Sequence, residues 1–157
     1  METIAIFVDV QNVYYTCREA YHRNFNYNAF WQQVTENRKV ACAFAYAIDR
    51  GDEKQRQFQN ILRAIGFEVK LKPFIQRADG SAKGDWDVGI TIDVMDQARH
   101  ADTIALVSGD GDFDILIKKI VTDYKKTAYV YGVPDLTANA IRIAASQFIP
   151  IEGDLLL

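Results

Sequence analysis

The sequence predicts an α/β fold, a three-layer sandwich with a mainly parallel sheet. Short apolar segments typical of strands alternate along the chain with longer patterns typical of amphipathic helices. The loops between them are short except for a polar stretch at 76–84, and no linker, internal repeat or low-complexity tract separates them. Repeated strand–helix units of this kind form parallel sheets covered by helices on both faces. A chain of 157 residues is long enough to bury a core, and we expect residues 1–157 to form a single domain.

Six segments have the composition of strands. The first and the fourth are uninterrupted apolar runs, as expected of strands that are buried on both faces. In the third, Val69 and Leu71 alternate with charged residues, which indicates a strand at an edge of the sheet. The predicted strands are residues 3–9, 40–48, 67–74, 103–107, 127–133 and 147–151. We expect the first five to lie in the order 3-2-1-4-5.

Helical patterns occupy the connections between the strands. The predicted helices cover residues 12–21, 28–37, 53–65, a segment that begins near 85, a segment from 113 to 124, and residues 137–145. In the fourth helix, Val88, Ile92, Met95 and Ala98 are expected to face the core. Tyr14 and Tyr15 in the first helix are also expected to pack in the core, and base stacking is the alternative for them.

Aspartates stand at three points where an α/β fold builds its sites. Asp9 ends the first apolar run, Asp87 opens the fourth helical pattern, and Asp110 and Asp112 follow the fourth run. With the strand order 3-2-1-4-5, Asp9 and Asp110 would face the same crevice at the carboxyl ends of adjacent strands. Carboxylates crowded in this way raise one another's pKa unless a cation neutralises them. The pattern therefore predicts a site for a hard divalent cation, Mg²⁺ or Mn²⁺.

Polar neighbours of these aspartates suggest the chemistry. Carboxylates that hold two divalent cations favour in-line hydrolysis of a phosphodiester, and no His or Cys lies nearby to favour zinc. Asn12 could orient a water or a carboxylate, Ser108 could hydrogen-bond a ligand or phosphate oxygen, and Lys83 could contact the scissile phosphate. With Lys70, Lys72 and Arg77, Lys83 would form a basic rim for an RNA backbone.

Three motifs resemble those of a known family. They are Asp9-Val10-Gln11-Asn12, the run from Lys83 to Asp87 followed by Asp93, and the run from Val107 to Phe113. Their order and spacing, together with the closing segment 145–151, are similar to those of the NYN domains, which are relatives of the PIN nucleases. The chain is most similar to the bacterial LabA-like branch of that family.

The resemblance implies a PIN-like α/β fold and a ribonuclease site that depends on Mg²⁺ or Mn²⁺. On this basis Asp9, Asp87 and Asp110 are the core catalytic and metal-ligating residues, with Asp112 as the fourth. Asn12, Lys83 and Ser108 match motif positions with supporting roles.

Some of these residues have simpler interpretations that involve no metal. Asp9 could cap the following helix, and Asp110 and Asp112 could be turn and cap residues beside glycines. Asp93 either supports the site or pairs with a buried cation or the backbone. Helical phase places Asp85 and Asp87 on different faces of the fourth helix, so we expect Asp87 to face the crevice and Asp85 to face the solvent. A phosphatase that uses Asp9 as nucleophile would need a second aspartate at position 11, where the chain has Gln11.

The expected function is a metal-dependent endoribonuclease that hydrolyses RNA. The alternative is a regulatory module that binds RNA or protein and keeps the metal site with little or no catalysis.

The overall composition limits the partners of the protein. The net charge of −3 argues against strong electrostatic binding of nucleic acid by the protein as a whole. No glycine-rich phosphate loop is present, so no nucleotide cofactor is expected. No signal peptide or membrane-spanning segment is visible, so a cytoplasmic location without membrane contact is expected. A homodimer through an exposed helix face is compatible with the sequence.

Overall fold

The computed structural model describes residues 1–73, 75–76, 82–83 and 85–157, with only the backbone at 75–76 and 82–83. Its main sheet has six strands, and every pairing within it is parallel. A separate antiparallel pair lies in the long connection after the third strand. In chain order, the strands are β1 Glu2–Asp9, β2 Arg38–Asp49, β3 Glu68–Pro73, β4 Ile75–Gln76, β5 Ala82–Lys83, β6 Thr103–Val107, β7 Thr127–Gly132 and β8 Gln147–Pro150.

The order of the main sheet is β3-β2-β1-β6-β7-β8. Counting only these six strands along the chain, the order is 3-2-1-4-5-6, so the predicted order of the first five is confirmed and the sixth extends it. The chain builds outward from β1 in one direction and then, from β6, in the other. The strand order therefore reverses between β1 and β6, and this is where ligands bind in open parallel sheets.

Helices cover both faces of the sheet. The helices are α1 Val10–Tyr21, α2 Tyr27–Thr35, α3 Glu53–Ile65, α4 Asp87–Gln97, α5 Asp114–Thr122 and α6 Asn139–Ala144. Buried residues of α1, α2 and α3 belong to one apolar core, and buried residues of α4, α5 and α6 belong to a second. The predicted three-layer α/β fold is confirmed.

Strand β1 separates the two cores. Ile4, Ile6 and Val8 point into the core beneath α1 to α3, and Ala5 and Phe7 point into the other. All five are fully buried, which explains why this strand has no polar alternation. The last residues of β1 and β6 lie side by side, with Val8 opposite Val107. The segments that follow these two strands therefore leave the sheet next to each other.

The buried face of α4 differs in part from the prediction: Met95 packs against the core and Ala98, just after the helix, is fully buried as expected, but two other residues are not. Val88 and Ile92 are 70% and 54% exposed, whereas Ile90 and Val94 are fully buried. Apolar residues at alternate positions give this helix two possible stripes at helical spacing, and the sequence pattern does not choose between them. Contacts with the sheet choose the stripe that begins at Ile90.

Two of the tyrosines of α1 also differ from the prediction. Tyr14 and Tyr15 are each 53% exposed, and the core side of this helix is formed by Val13 and Cys17. These two smaller residues are spaced four apart and fill the space above β1, so the tyrosines are turned away from the sheet.

Within the described residues, no helix has both the length and the apolar character that crossing a membrane requires.

Candidate metal centre

Asp9 ends β1 and is also the cap of α1. Its carboxylate accepts a hydrogen bond from the backbone N–H of Asn12, with an N–O distance of 3.4 Å. It accepts a second from the hydroxyl of Ser108, with an O–O distance of 3.3 Å. Only 9% of Asp9 is exposed. The Asp9 side chain therefore caps α1 and also lies in the crevice.

Asn12 and Ser108 join the ends of the two central strands. The Asn12 side-chain oxygen accepts a hydrogen bond from the backbone N–H of Gly109 at 2.9 Å. The Ser108 hydroxyl, fully buried, accepts one from the backbone N–H of Asp110 at 3.2 Å while it donates to Asp9. These contacts fix the turn after β6 against the start of α1. Both residues contact Asp9, and Ser108 also contacts Asp110.

The turn after β6 is tightly enclosed. Asp110 caps a short 3-10 turn, Gly111–Phe113, by accepting a hydrogen bond from the Asp112 N–H at 2.9 Å. A Cβ on Gly109 would lie 2.9 Å from the backbone oxygen of Leu136, so a larger residue there would displace the turn. Asp112 precedes α5 in this turn instead of lying in the helix itself. Asp110 and Asp112 are thus residues of the turn and, at the same time, members of the predicted site.

Three of the four predicted ligands come together. Asp87, Asp110 and Asp112 each offer a carboxylate oxygen, and these oxygens all lie within 4.8 Å of one another. Asp87 is the first residue of α4, so it reaches this point from a different element. Asp9 lies outside this closest group but lines the same cleft as Asp87 and Asp110.

The protonation of Asp9 and Asp87 reflects this crowding. Burial, together with the charges of Asp110 and Asp85, raises the pKa of Asp9 from its ordinary 3.8 to about 6, although the hydrogen bonds from Asn12 and Ser108 oppose the change. Burial is also the largest cause for Asp87, followed by its interaction with Asp110, and its pKa rises to about 7. Without a cation, Asp87 is therefore partly protonated near neutral pH, and Asp9 becomes mostly protonated only below about pH 6.

An open cleft of about 400 Å³ lies over the carboxylates. It is lined by Asp9, Gln11, Asn12, Tyr15, Thr16, Ile48, Arg50, Asp85, Asp87 and Asp110. The sequence did not indicate Ile48 and Arg50, which stand at and just after the end of β2. The predicted strand order could have indicated them, because it places the carboxyl end of β2 beside that of β1, at the same edge of the sheet.

Asp85 was expected to point into solvent, and it is exposed but also lines the cleft. Its carboxylate accepts a hydrogen bond from the N–H of Asp87 at 3.3 Å. The expectation rested on helical phase between the two residues. However, α4 begins at Asp87, so Asp85 precedes the helix and helical phase does not apply to it.

Asp93 lies in a separate polar cluster. Its carboxylate accepts hydrogen bonds from the Tyr46 hydroxyl and the Lys70 ammonium, each at 2.8 Å. Of the two roles left open for Asp93, the structure shows the ion pair. Lys70 is thereby engaged, and Lys72 contacts the Asp85 backbone oxygen at 3.2 Å. The predicted basic rim is therefore partly used in contacts within the protein.

Two other members of that rim lie outside the described residues. These are Arg77 and the side chain of Lys83. The predicted contact of Lys83 with phosphate therefore stays a prediction.

The donor set of the cluster fits a hard divalent cation. The three clustered groups are carboxylates that come from two elements. Two further carboxylates, Asp9 and Asp85, line the same cleft as Asp87 and Asp110. Oxygen-only donor sets are typical of Mg²⁺, Ca²⁺ and Mn²⁺ sites, whereas zinc sites usually contain His or Cys. A bound cation would favour the ionised form of Asp9 and Asp87, against the burial and the neighbouring carboxylates that raise their pKa. The cluster can thus bind a divalent metal.

Comparisons with known proteins agree with the three motifs. A family model described as NYN domain matches residues 3–152. The Low amplitude and bright protein LabA of Synechococcus elongatus is 26% identical over 160 residues, which cover 95% of this chain and 83% of LabA. A crystal structure of a protein of unknown function from Vibrio parahaemolyticus is 58% identical with a TM-score of 0.95, and the match covers 99% of this chain and 96% of that one. The chain therefore belongs to the NYN-domain family.

Proposed function

We propose that this protein is a metal-dependent endoribonuclease that hydrolyses RNA phosphodiester bonds in the cleft over the aspartate cluster. The observation that carries the proposal is the convergence of Asp87, Asp110 and Asp112 at the reversal point of the sheet. The raised pKa values of Asp9 and Asp87 support it, because carboxylates that are buried and crowded without a cation destabilise a fold. A carboxylate cluster that lowers stability in this way is typical of a functional site.

The residues proposed to hold Mg²⁺ or Mn²⁺ are Asp87, Asp110 and Asp112, with Asp9 as a further ligand. When bound, such ions stabilise the attacking and leaving oxygens of a phosphodiester displacement. The protein's own contribution is to fix these carboxylates. Ser108 and the Asn12 N–H orient Asp9, and the Asp112 N–H orients Asp110. Fixed donors lose little freedom when a cation and substrate bind.

Lys83 is the proposed contact for the scissile phosphate, as the family motif suggests. Arg50 also lines the cleft. RNA is the proposed partner, Mg²⁺ or Mn²⁺ the proposed cofactor, and the cytoplasm the proposed location.

A second candidate is a regulatory module that binds RNA or protein at the same site with little or no turnover. One observation favours it. Lys70 is bound to Asp93, and Lys72 contacts the Asp85 backbone and lies 4.6 Å from the centre of the Trp86 ring. These lysines are therefore less available to an RNA backbone than the sequence suggested.

Cleavage of fluorescent RNA separates the two candidates. The wild-type protein, Asp110→Asn and the control Asp96→Asn are each assayed with Mn²⁺, Mg²⁺ or EDTA. Asp96 is exposed on α4 and does not line the cleft, so its substitution makes the same chemical change elsewhere. We expect cleavage only with metal and a loss in Asp110→Asn beyond the roughly 10–100-fold typical of residues that merely support ligands. Metal-dependent RNA binding without cleavage would favour the regulatory module instead.

A further inference from the structure

Two neighbouring tyrosines of α1 are exposed beside the cleft. Tyr14 and Tyr15 each have about half of their surface in contact with solvent, at 53%. Their ring centres are 5.5 Å apart and their planes meet at 75°, an edge-to-face arrangement. Such pairs attract each other beyond simple burial. Tyr14 therefore restrains the Tyr15 ring while leaving part of it open.

Tyr15 belongs to the wall of the cleft. Residues Gln11, Asn12, Tyr15 and Thr16 all line it, and their spacing of three and four places them on one face of α1. The same cleft contains the carboxylates of Asp9, Asp87 and Asp110. A ligand whose reacting group lay at those carboxylates would therefore extend along the Tyr15 ring.

The negative charge of the cleft weakens the electrostatic binding of an RNA strand there. The protein has a net charge of −3, and four carboxylates line the cleft. Electrostatic attraction alone therefore gives an RNA strand little affinity apart from what a cation supplies. Stacking of a base on an aromatic ring does not depend on net charge, and it tolerates any base because every base has a π-face.

We infer that Tyr15, restrained by Tyr14, is a stacking platform for one unpaired nucleobase of the RNA substrate, next to the phosphate at the carboxylates. A paired base has both faces covered by its neighbours in the duplex, so this platform selects single-stranded RNA. The inference rests on the proposed function only in taking RNA as the ligand.

The test measures RNA binding and cleavage separately. A fluorescent single-stranded RNA and its duplex are titrated in Mn²⁺ by anisotropy, with intactness checked on gels, and cleavage of both forms is followed. The variants are Tyr15→Ala, Tyr15→Phe and the control Tyr124→Ala. Tyr124 follows α5, is partly exposed and does not line the cleft. Melting curves check that Tyr15→Ala, a change at an exposed side chain, leaves the fold intact.

We expect single-stranded RNA to bind and to be cleaved at least about ten-fold better than the duplex, and Tyr15→Ala to weaken its binding by about ten-fold. Tyr15→Phe keeps the ring face and should stay near wild type, as should Tyr124→Ala. A scan with one abasic nucleotide at a time should find one position that weakens binding to wild type and has no effect on Tyr15→Ala.

The two proposals fail in different ways. Equal RNA affinity of Tyr15→Ala and wild type, or equal affinity for the two RNA forms, overturns the stacking platform even if cleavage is strong. Binding that depends on Tyr15 and on one base, without any cleavage, supports the platform and overturns the nuclease. Absence of RNA binding overturns both.

Discussion

Two carboxylates on the same helix have opposite surroundings. Asp93 accepts hydrogen bonds from the Tyr46 hydroxyl and the Lys70 ammonium. Six residues earlier, Asp87 faces Asp110 and Asp112, and burial and neighbouring carboxylates raise its pKa to about 7. The fold supplies a cation to Asp93 from β3. At Asp87 it assembles further negative charge, which is the arrangement expected where a cation comes from solution.

The largest expected difference between the two aspartates is in RNA cleavage. Asp87→Asn should lower metal-dependent cleavage by more than about 100-fold, because the variant removes a ligand and not a support for one. Asp93→Asn should stay within a few fold of wild type, since Asp93 does not line the cleft. Rates with Mn²⁺ on the same fluorescent RNA measure both. Equal losses in the two variants would contradict the assignment of Asp93 to a separate cluster.

Thermal stabilisation by metal gives the next largest effect. A cation that binds only the folded protein adds about 2.7 kcal/mol when its concentration is 100 times its dissociation constant. Mn²⁺ should therefore raise the melting temperature of wild type and of Asp93→Asn by several degrees but should leave Asp87→Asn almost unchanged. A Mn²⁺ shift that survives Asp87→Asn would place the cation elsewhere.

In EDTA, the two variants should change stability in opposite directions. The pKa values of Asp9 and Asp87, about 6 and about 7, lie above the ordinary 3.8. The folded protein therefore binds more protons than the unfolded chain between about pH 4 and 7, and these groups lower the free energy of unfolding as the pH rises through that range. Asp87→Asn should stabilise the protein at pH 8 by about 1 kcal/mol, after allowance for solvent screening of a partly exposed group, and by almost nothing at pH 4.

Asp93→Asn should instead lower the free energy of unfolding at pH 8, by about 1–2 kcal/mol, because Lys70 loses its charged partner. Urea titrations at the two pH values measure both variants. If Asp87→Asn were destabilising at pH 8 in EDTA, its carboxylate would already be stabilised by a group within the protein.

The smallest expected effect concerns Trp86, the residue before Asp87. Its indole N–H donates to the Ala47 backbone oxygen at 2.9 Å, and a Cβ on Gly89 would lie 2.6 Å from the indole ring. Gly89→Ala should therefore displace the indole and weaken Mn²⁺ binding a few fold, although alanine favours the helix by about 1 kcal/mol. Tryptophan fluorescence and Mn²⁺ affinity measure this, with exposed Val88→Ala as control. Unchanged affinity in Gly89→Ala would show that Trp86 does not position Asp87.

The strand ends were the most predictable part of the site. Asp9 and Asp110 follow apolar runs, and the strand order alone brings such positions together. The roles of side chains outside the strands were harder to predict. The apolar pattern of α4 fits two stripes, so Val88 and Ile92 were placed on the wrong side. Asp93 and Lys70 are 23 residues apart on different elements, and no local pattern links them.

Tyr15 shows a different limit of the sequence. A tyrosine near a core face is usually packed, and only the structure shows that Val13 and Cys17 already fill that face. Asp85 is exposed as expected, but its place beside the cleft was not predicted, because the start of α4 lies two residues later than the pattern suggested. Helix ends are set by capping and by tertiary contacts, which a sequence pattern locates only to within a few residues.

Calorimetric titration with Mn²⁺ near pH 6.5, on wild type, Asp87→Asn and Asp93→Asn, tests the central claim most directly. We expect wild type and Asp93→Asn to bind Mn²⁺ with release of protons, because the cation displaces the protons held at Asp9 and Asp87. The heat should then depend on the ionisation enthalpy of the buffer, and Asp87→Asn should show little or no binding. Equal Mn²⁺ binding by all three proteins, or no binding by wild type, would contradict the claim that this cluster is a metal site.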